Sequence, residues 1–130
     1  MTPANIAEIF TRLQKQNPHP QTELYFTNSY TLLVAVILSA QATDAGVNKA
    51  TKNFFPTIDT PQKMLALGLE GLISHIKTIG LYPTKAKNII AMSQILVDQF
   101  KGHIPDTREN LERLPGVGRK TANVVLNVAF

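Results

Sequence analysis

The segment best suited to chemistry is Leu114-Pro115-Gly116-Val117-Gly118-Arg119-Lys120-Thr121-Ala122, a glycine turn between a short segment containing Leu111 and Leu114 and a run that begins Arg119-Lys120. Glycines reach backbone angles closed to other residues and leave N–H groups uncovered, and a helix starting behind them adds the positive end of its dipole. Such a turn can hold a phosphate oxygen; it reads no base, so it supplies affinity and register rather than sequence specificity. Arg119 and Lys120 place two cations in a helical first turn, where they oppose the dipole, and a locally unfavourable choice invites a functional explanation. A neutral lysine amine is a nucleophile. It can attack the anomeric carbon of a nucleotide, expel the base and leave a Schiff base, from which β-elimination breaks the strand. On residue types alone, the same segment also suits an ordinary helix–helix turn, with Lys120 a solvated cation against phosphate.

The elements that must carry this turn are helical by pattern. Thr2-Pro3 reads as the cap and first position of a helix with Ile6, Ile9, Phe10 and Leu13 on one face, and Asn17-Pro18-His19-Pro20 forces an extended connector. Asn28 or Ser29 can cap a second helix, apolar nearly all round from Leu32 to Leu38 and followed by the small polar run Ser39-Ala40-Gln41-Ala42-Thr43. Its β-branched content also fits a buried strand, but the helical spacing of the neighbouring segments favours a central buried helix. Thr43 caps the next helix, with Asp44 in its first turn and Val47, Ala50, Phe54 and Phe55 as its face before Pro56 ends it. Thr60-Pro61 starts another, and Gly68 and Gly80 bound a helix with Leu69, Leu72, Ile73 and Ile76 on its face. After Pro83 a longer helix buries Ala86, Ile89, Ile90, Ser93, Leu96, Val97 and Phe100 and stops at Gly102, and Thr107 caps the segment ahead of the glycine turn. No pair of alternating strands and no repeat of 20 to 50 residues is evident.

A chain of 130 residues with 44% hydrophobic and 17% charged residues fits one soluble globular domain. The net charge of +4 is mild, but its distribution is uneven. Between Glu70 and Asp98 the only formally charged residues are Lys77, Lys85 and Lys87, and Arg113, Arg119 and Lys120 follow Glu112 with no later acid. Two basic segments can face one polyanion, although charge alone fits solvated helix faces better. There is no cysteine, and His19, His75 and His103 lack metal-ligand spacing, so no metal site is expected within these residues. The apolar run from Leu32 to Leu38 is far too short to span a membrane, and the N-terminus lacks a signal pattern, which makes a soluble intracellular protein the default expectation.

The segment from Leu114 to Ala122 resembles the helix-hairpin-helix of the endonuclease III family. Ile37-Leu38-Ser39-Ala40-Gln41-Ala42-Thr43-Asp44, Val47-Asn48-Lys49-Ala50 and Ile76-Lys77-Thr78-Ile79-Gly80-Leu81-Tyr82 resemble the same family, in order and at its spacing. The resemblance covers nearly the whole chain. It implies an all-α helical bundle or barrel of the helix-hairpin-helix glycosylase type. Residues 21–130 would form the barrel domain, with the helix-hairpin-helix at about 108–130 and residues 1–20 as the N-terminal helix and connector of a second domain. It implies bacterial base-excision repair by a bifunctional glycosylase that removes oxidised pyrimidines and cleaves abasic sites. Such an enzyme would be a cytoplasmic, nucleoid-associated monomer acting on double-stranded DNA, with no membrane partner.

By the same resemblance Lys120 is the Schiff-base nucleophile, and Gln41 and Leu81 wedge into the duplex where the damaged nucleotide is flipped out. From the residues alone, Leu81 would read as core and Gln41 as a polar helix end. Leu114, Gly116, Val117, Gly118 and Arg119 match the DNA-binding hairpin, and Ser39, Asp44 and Glu112 match polar positions near the lesion pocket. Family members continue into a catalytic aspartate and four cysteines that hold a 4Fe–4S cluster. Those residues do not occur here, so the expectation is an N-terminal part of a longer protein, with the C-terminal iron–sulfur domain missing, no cofactor within the chain and little turnover alone. The alternative is a non-catalytic helix-hairpin-helix module that holds DNA.

Overall fold

Asn28, rather than Ser29, caps the first described helix, α1 (Ser29–Leu38). Its side chain accepts from the Thr31 N–H at 2.8 Å, and the Thr31 hydroxyl accepts from the Asn28 N–H at 2.9 Å. This reciprocal box satisfies two donors that a helix start leaves open. The computed structural model describes residues 24–129, so the expected N-terminal helix of Ile6, Ile9, Phe10 and Leu13, and the unit at 1–20, lie outside the described residues. Tyr30 to Leu38 are buried without a break, as expected of a helix covered on every side.

Helix α2 (Asp44–Thr51) begins at Thr43, whose side chain accepts from the Gly46 N–H. It stops earlier than Pro56. Phe54 and Phe55 are both buried. The chain leaves the helix at Thr51 and turns, which sends both rings inward, edge to face at 5.1 Å. Thr60 caps α3 (Pro61–Ile76), whose two helical segments meet at Gly68, where φ 80° and ψ 170° break the helix as the sequence leads one to expect.

Helix α4 (Tyr82–Phe100) buries Lys85, Ala86, Ile89, Met92, Ser93 and Leu96. The expected face was turned slightly away from this: Ile90, Val97 and Phe100 are only half-buried, whereas Met92 and Lys85 are inside. After α4 the chain turns through Lys101 and Gly102, and the Gly102 N–H reaches the Leu96 carbonyl at 2.7 Å. Thr107 caps the short α5 (Arg108–Glu112), and α6 (Arg119–Ala129) follows the glycine turn.

Helix α4 runs along α3, while α1 packs against α2, α4 and α6, and α5 packs on α6. A buried hydrogen bond between the Tyr30 and Ser93 hydroxyls, 2.7 Å long, joins α1 to α4, and the Ser93 hydroxyl donates to the Ile89 carbonyl. Burial pushes the Tyr30 phenol above its ordinary range. The described residues contain no strand, and the fold is all-α. No described helix is long and apolar enough to cross a membrane.

Candidate nucleic-acid interface

Two of the residues singled out in the sequence share an uncommon backbone state. Gln41 has φ 57° and Leu81 has φ 63°, the left-handed region that costs a non-glycine residue about 1–2 kcal/mol. Gln41 is exposed, in a turn closed by the Ala42 N–H on the Ser39 carbonyl at 3.0 Å. Leu81 caps α4 and is 57% exposed, the sole large exposed hydrophobic side chain among the described residues. A strained residue at an exposed tip persists only where the surroundings hold it, and such sites cluster where ligands bind.

Lys85 is part of that hold. Its backbone N–H bonds to the Leu81 carbonyl at 3.1 Å, and its buried Nζ donates to the Leu38 carbonyl at 2.9 Å. Leu38 is the last residue of α1. The other late carbonyls of that helix are taken by Ser39 and Ala40 N–H groups and by the Ser39 hydroxyl. Lys85 therefore satisfies a helix-end acceptor that its own chain segment leaves open and puts positive charge at the negative end of the α1 dipole. Burial lowers the pKa of this amine below the ordinary lysine value. The sequence reading, a solvated lysine facing a polyanion, does not hold for Lys85, which is only 5% exposed.

The glycine turn meets the same helix. Gly116 has φ 81°, and a Cβ built there would lie 3.1 Å from the Cβ of Asn88. Leu81, Lys85 and Asn88 are spaced i, i+4, i+7, so one stripe at the start of α4 serves the Leu81 tip, the end of α1 ahead of the Gln41 turn, and the hairpin. Leu114 and Val117 anchor the hairpin from below: both are buried, and the Val117 N–H bonds to the Leu114 carbonyl at 3.1 Å. Gly118 differs from Gly116. It has no left-handed φ, and nothing lies within 4 Å of a Cβ placed there, so its lack of a side chain serves space outside the fold rather than the fold itself. The Ala122 N–H is the one that bonds back to the Gly118 carbonyl, which leaves the N–H groups of the first turn of α6 to other acceptors. Arg119 and Lys120 lie exposed in that turn.

The three positions that the resemblance assigns to a lesion pocket are less unified. Ser39 is half-buried, and its hydroxyl is given to the Val36 carbonyl at 2.7 Å. Asp44 is half-buried in the first turn of α2, where its charge suits the dipole. Glu112 is exposed and lies 3.6 Å from Arg108 of its own helix. The chain has no cysteine, and no group of His, Asp or Glu among the described residues could hold a metal ion. These residues supply no thiolate for a 4Fe–4S cluster.

Lys85 and Asn88 are the residues that sequence reasoning missed as parts of this site. A signal existed for Lys85, because it falls in line with Ile89, Met92 and Leu96 at helical spacing.

A family model described as HhH-GPD superfamily base excision DNA repair protein matches residues 34–129. Endonuclease III of Haemophilus influenzae is 62% identical over 123 residues, covering 95% of this chain and 58% of that protein. Endonuclease III of Escherichia coli K12 is 58% identical over 130 residues, covering all of this chain and 62% of that protein. A solved structure of a trapped endonuclease III–DNA covalent intermediate, an estranged-adenine complex, superposes with a TM-score of 0.83 at 46% identity, covering all of this chain and 61% of that one. The chain thus spans about three fifths of the length of the relatives it matches.

Proposed function

The chain belongs to the HhH-GPD superfamily of base excision DNA repair proteins, and we propose that it supplies the DNA grip and the nucleophile of a bifunctional glycosylase acting on damaged pyrimidines and abasic sites. The observation that carries this reading is that the start of α4 carries the exposed left-handed Leu81, holds the end of α1 three residues before the exposed left-handed Gln41, and meets the glycine hairpin that leads into Lys120. The hairpin N–H groups and Arg119 hold phosphate oxygens next to the lesion. Gln41 and Leu81 enter the duplex and replace the stacking lost when the nucleotide leaves. The amine of Lys120 then attacks the anomeric carbon: the new C–N bond forms as the glycosidic bond breaks, and the base departs with a proton taken from the amine. Opening of the sugar gives the Schiff base, and removal of a C2′ proton expels the 3′ phosphate.

The similarity to a DNA-bound covalent intermediate of endonuclease III supports the same assignment. Residues beyond those described here are proposed to complete the chemistry, so that this chain alone binds DNA with little turnover. The exposure of both Arg119 and Lys120 favours that binding behaviour.

Borohydride trapping on an oligonucleotide with one abasic site tests the assignment. A chain extended to the length of its relatives is expected to cross-link, and Lys120→Ala to abolish the adduct. Equal cross-linking by Lys120→Ala would remove Lys120 from the chemistry. Duplex binding that weakens with Lys120→Ala while the adduct is unchanged would make Lys120 a phosphate contact.

A further inference from the structure

We propose that Lys85 is a positioning residue that sets the spacing between the Gln41 turn and the Leu81 tip, and thereby controls recognition of a distorted site separately from general DNA affinity. This rests on the reading of those two tips as the parts that enter the duplex.

The argument is geometric. Leu81 and Gln41 are 40 positions apart in sequence; Leu81 caps α4, and Gln41 lies three residues past the last residue of α1. Two tips that enter one duplex at one lesion must keep a fixed separation, because a shift of about an ångström at either tip misaligns it with the gap between stacked bases, which are roughly 3.4 Å apart. Lys85 contacts both supports directly. Its backbone N–H is bound to the Leu81 carbonyl at 3.1 Å, and its Nζ is bound to the Leu38 carbonyl at 2.9 Å, three residues before Gln41. The rest of its side chain lies inside the protein, in register with Ile89, Met92 and Leu96. A leucine or methionine would fill this space without the cost of desolvating an amine. What only a long donor achieves is a bond across to the end of α1. The hairpin meets α4 one turn further on, at Asn88, so its grip on phosphate does not pass through Lys85.

That separation gives a split that a plain stabilising role would not give. In the full-length protein, Lys85→Met is expected to bind undamaged duplex within about twofold of the unsubstituted protein while losing about tenfold in preference for a duplex carrying a tetrahydrofuran abasic analogue. A 2-aminopurine placed opposite the analogue should report the same loss, with its fluorescence change on binding largely abolished. Lys85→Arg keeps a cationic donor within reach of the Leu38 carbonyl and should recover most of both signals. Should Lys85→Met fail to fold, Lys85→Gln, a shorter neutral donor, carries the test with the same expected split.

A parallel loss of affinity for both duplexes would overturn the proposal and leave Lys85 a purely structural residue. An unchanged preference and fluorescence response in Lys85→Met would overturn it as well. No preference for the analogue in the unsubstituted protein would overturn both this inference and the reading of the tips, which distinguishes the two failures.

Discussion

Replacing each hairpin glycine by alanine separates what the fold needs from what DNA needs. At Gly116 the backbone is left-handed, with φ 81°, and the new Cβ would stand 3.1 Å from the Cβ of Asn88. The backbone conformation costs alanine about 1–2 kcal/mol, and the contact forces α4 or the hairpin to give by a few tenths of an ångström. A total near 2 kcal/mol corresponds to a fall in Tm of about 10 °C for a domain of this size. At Gly118 there is no left-handed φ and no neighbour within 4 Å. Alanine there restricts the unfolded chain, worth about 0.4–1 kcal/mol, but is a poorer cap than glycine by a similar amount. The net change in stability should stay within about 0.5 kcal/mol, or about 3 °C. DNA affinity should move the other way. A methyl group on the face that approaches phosphate lengthens hydrogen bonds to a charged partner, worth about 1.5–3 kcal/mol each, and loss of one weakens binding about tenfold or more. Thermal melts by circular dichroism and fluorescence anisotropy with a duplex measure the two quantities. If Gly118→Ala melts as low as Gly116→Ala, or binds DNA as tightly as the unsubstituted protein, the division of labour between the two glycines is wrong.

Leu81→Gly should leave Tm unchanged or slightly higher, since it relieves a left-handed backbone and removes an exposed side chain, while preference for an abasic duplex falls; a drop in Tm of several degrees would return Leu81 to the core. Arg119→Ala should weaken duplex binding and reduce by about one the slope of log affinity against log salt, as a salt titration by anisotropy will show; an unchanged slope would place Arg119 away from phosphate. Tyr30 makes stability fall in alkali: its phenol, held above the ordinary value of 10.0 by burial, stays protonated in the fold after the unfolded chain has released its proton. Its contribution is intact below pH 10 and is lost above it, at about 1.4 kcal/mol per pH unit for one group. Urea melts between pH 9 and 11.5 should show a shallower fall for Tyr30→Phe, and at neutral pH this change should cost about 1 kcal/mol, because the Ser93 hydroxyl keeps its bond to Ile89. Parallel alkaline profiles for the two proteins would refute the assignment.

Much of this arrangement is legible in the sequence, and the physical reasons divide cleanly. Caps and breakers act within four residues, so Asn28, Thr43, Thr60, Thr107 and Gly102 mark their boundaries without help from the fold. The all-round burial of α1 follows from its lack of any polar face from Leu32 to Leu38. Long-range placement is less visible. Phe54 and Phe55 lie in a turn past Thr51, with both rings in the core, and the burial of Lys85 depends on an acceptor 47 residues away. The left-handed state of Gln41 and Leu81 has no propensity signal at all, since neither residue type favours it. Family resemblance pointed to both residues, and neither periodicity nor charge did.

The claim that the Gln41 turn, the Leu81 tip and the hairpin form one DNA-facing surface is tested most directly by hydrogen–deuterium exchange on a duplex with a single abasic analogue. Protection is predicted at residues 39–43, 79–82 and 115–121 together, with less at the tips when the duplex is undamaged. Protection of the hairpin alone on both duplexes, or protection centred on α3, would contradict it.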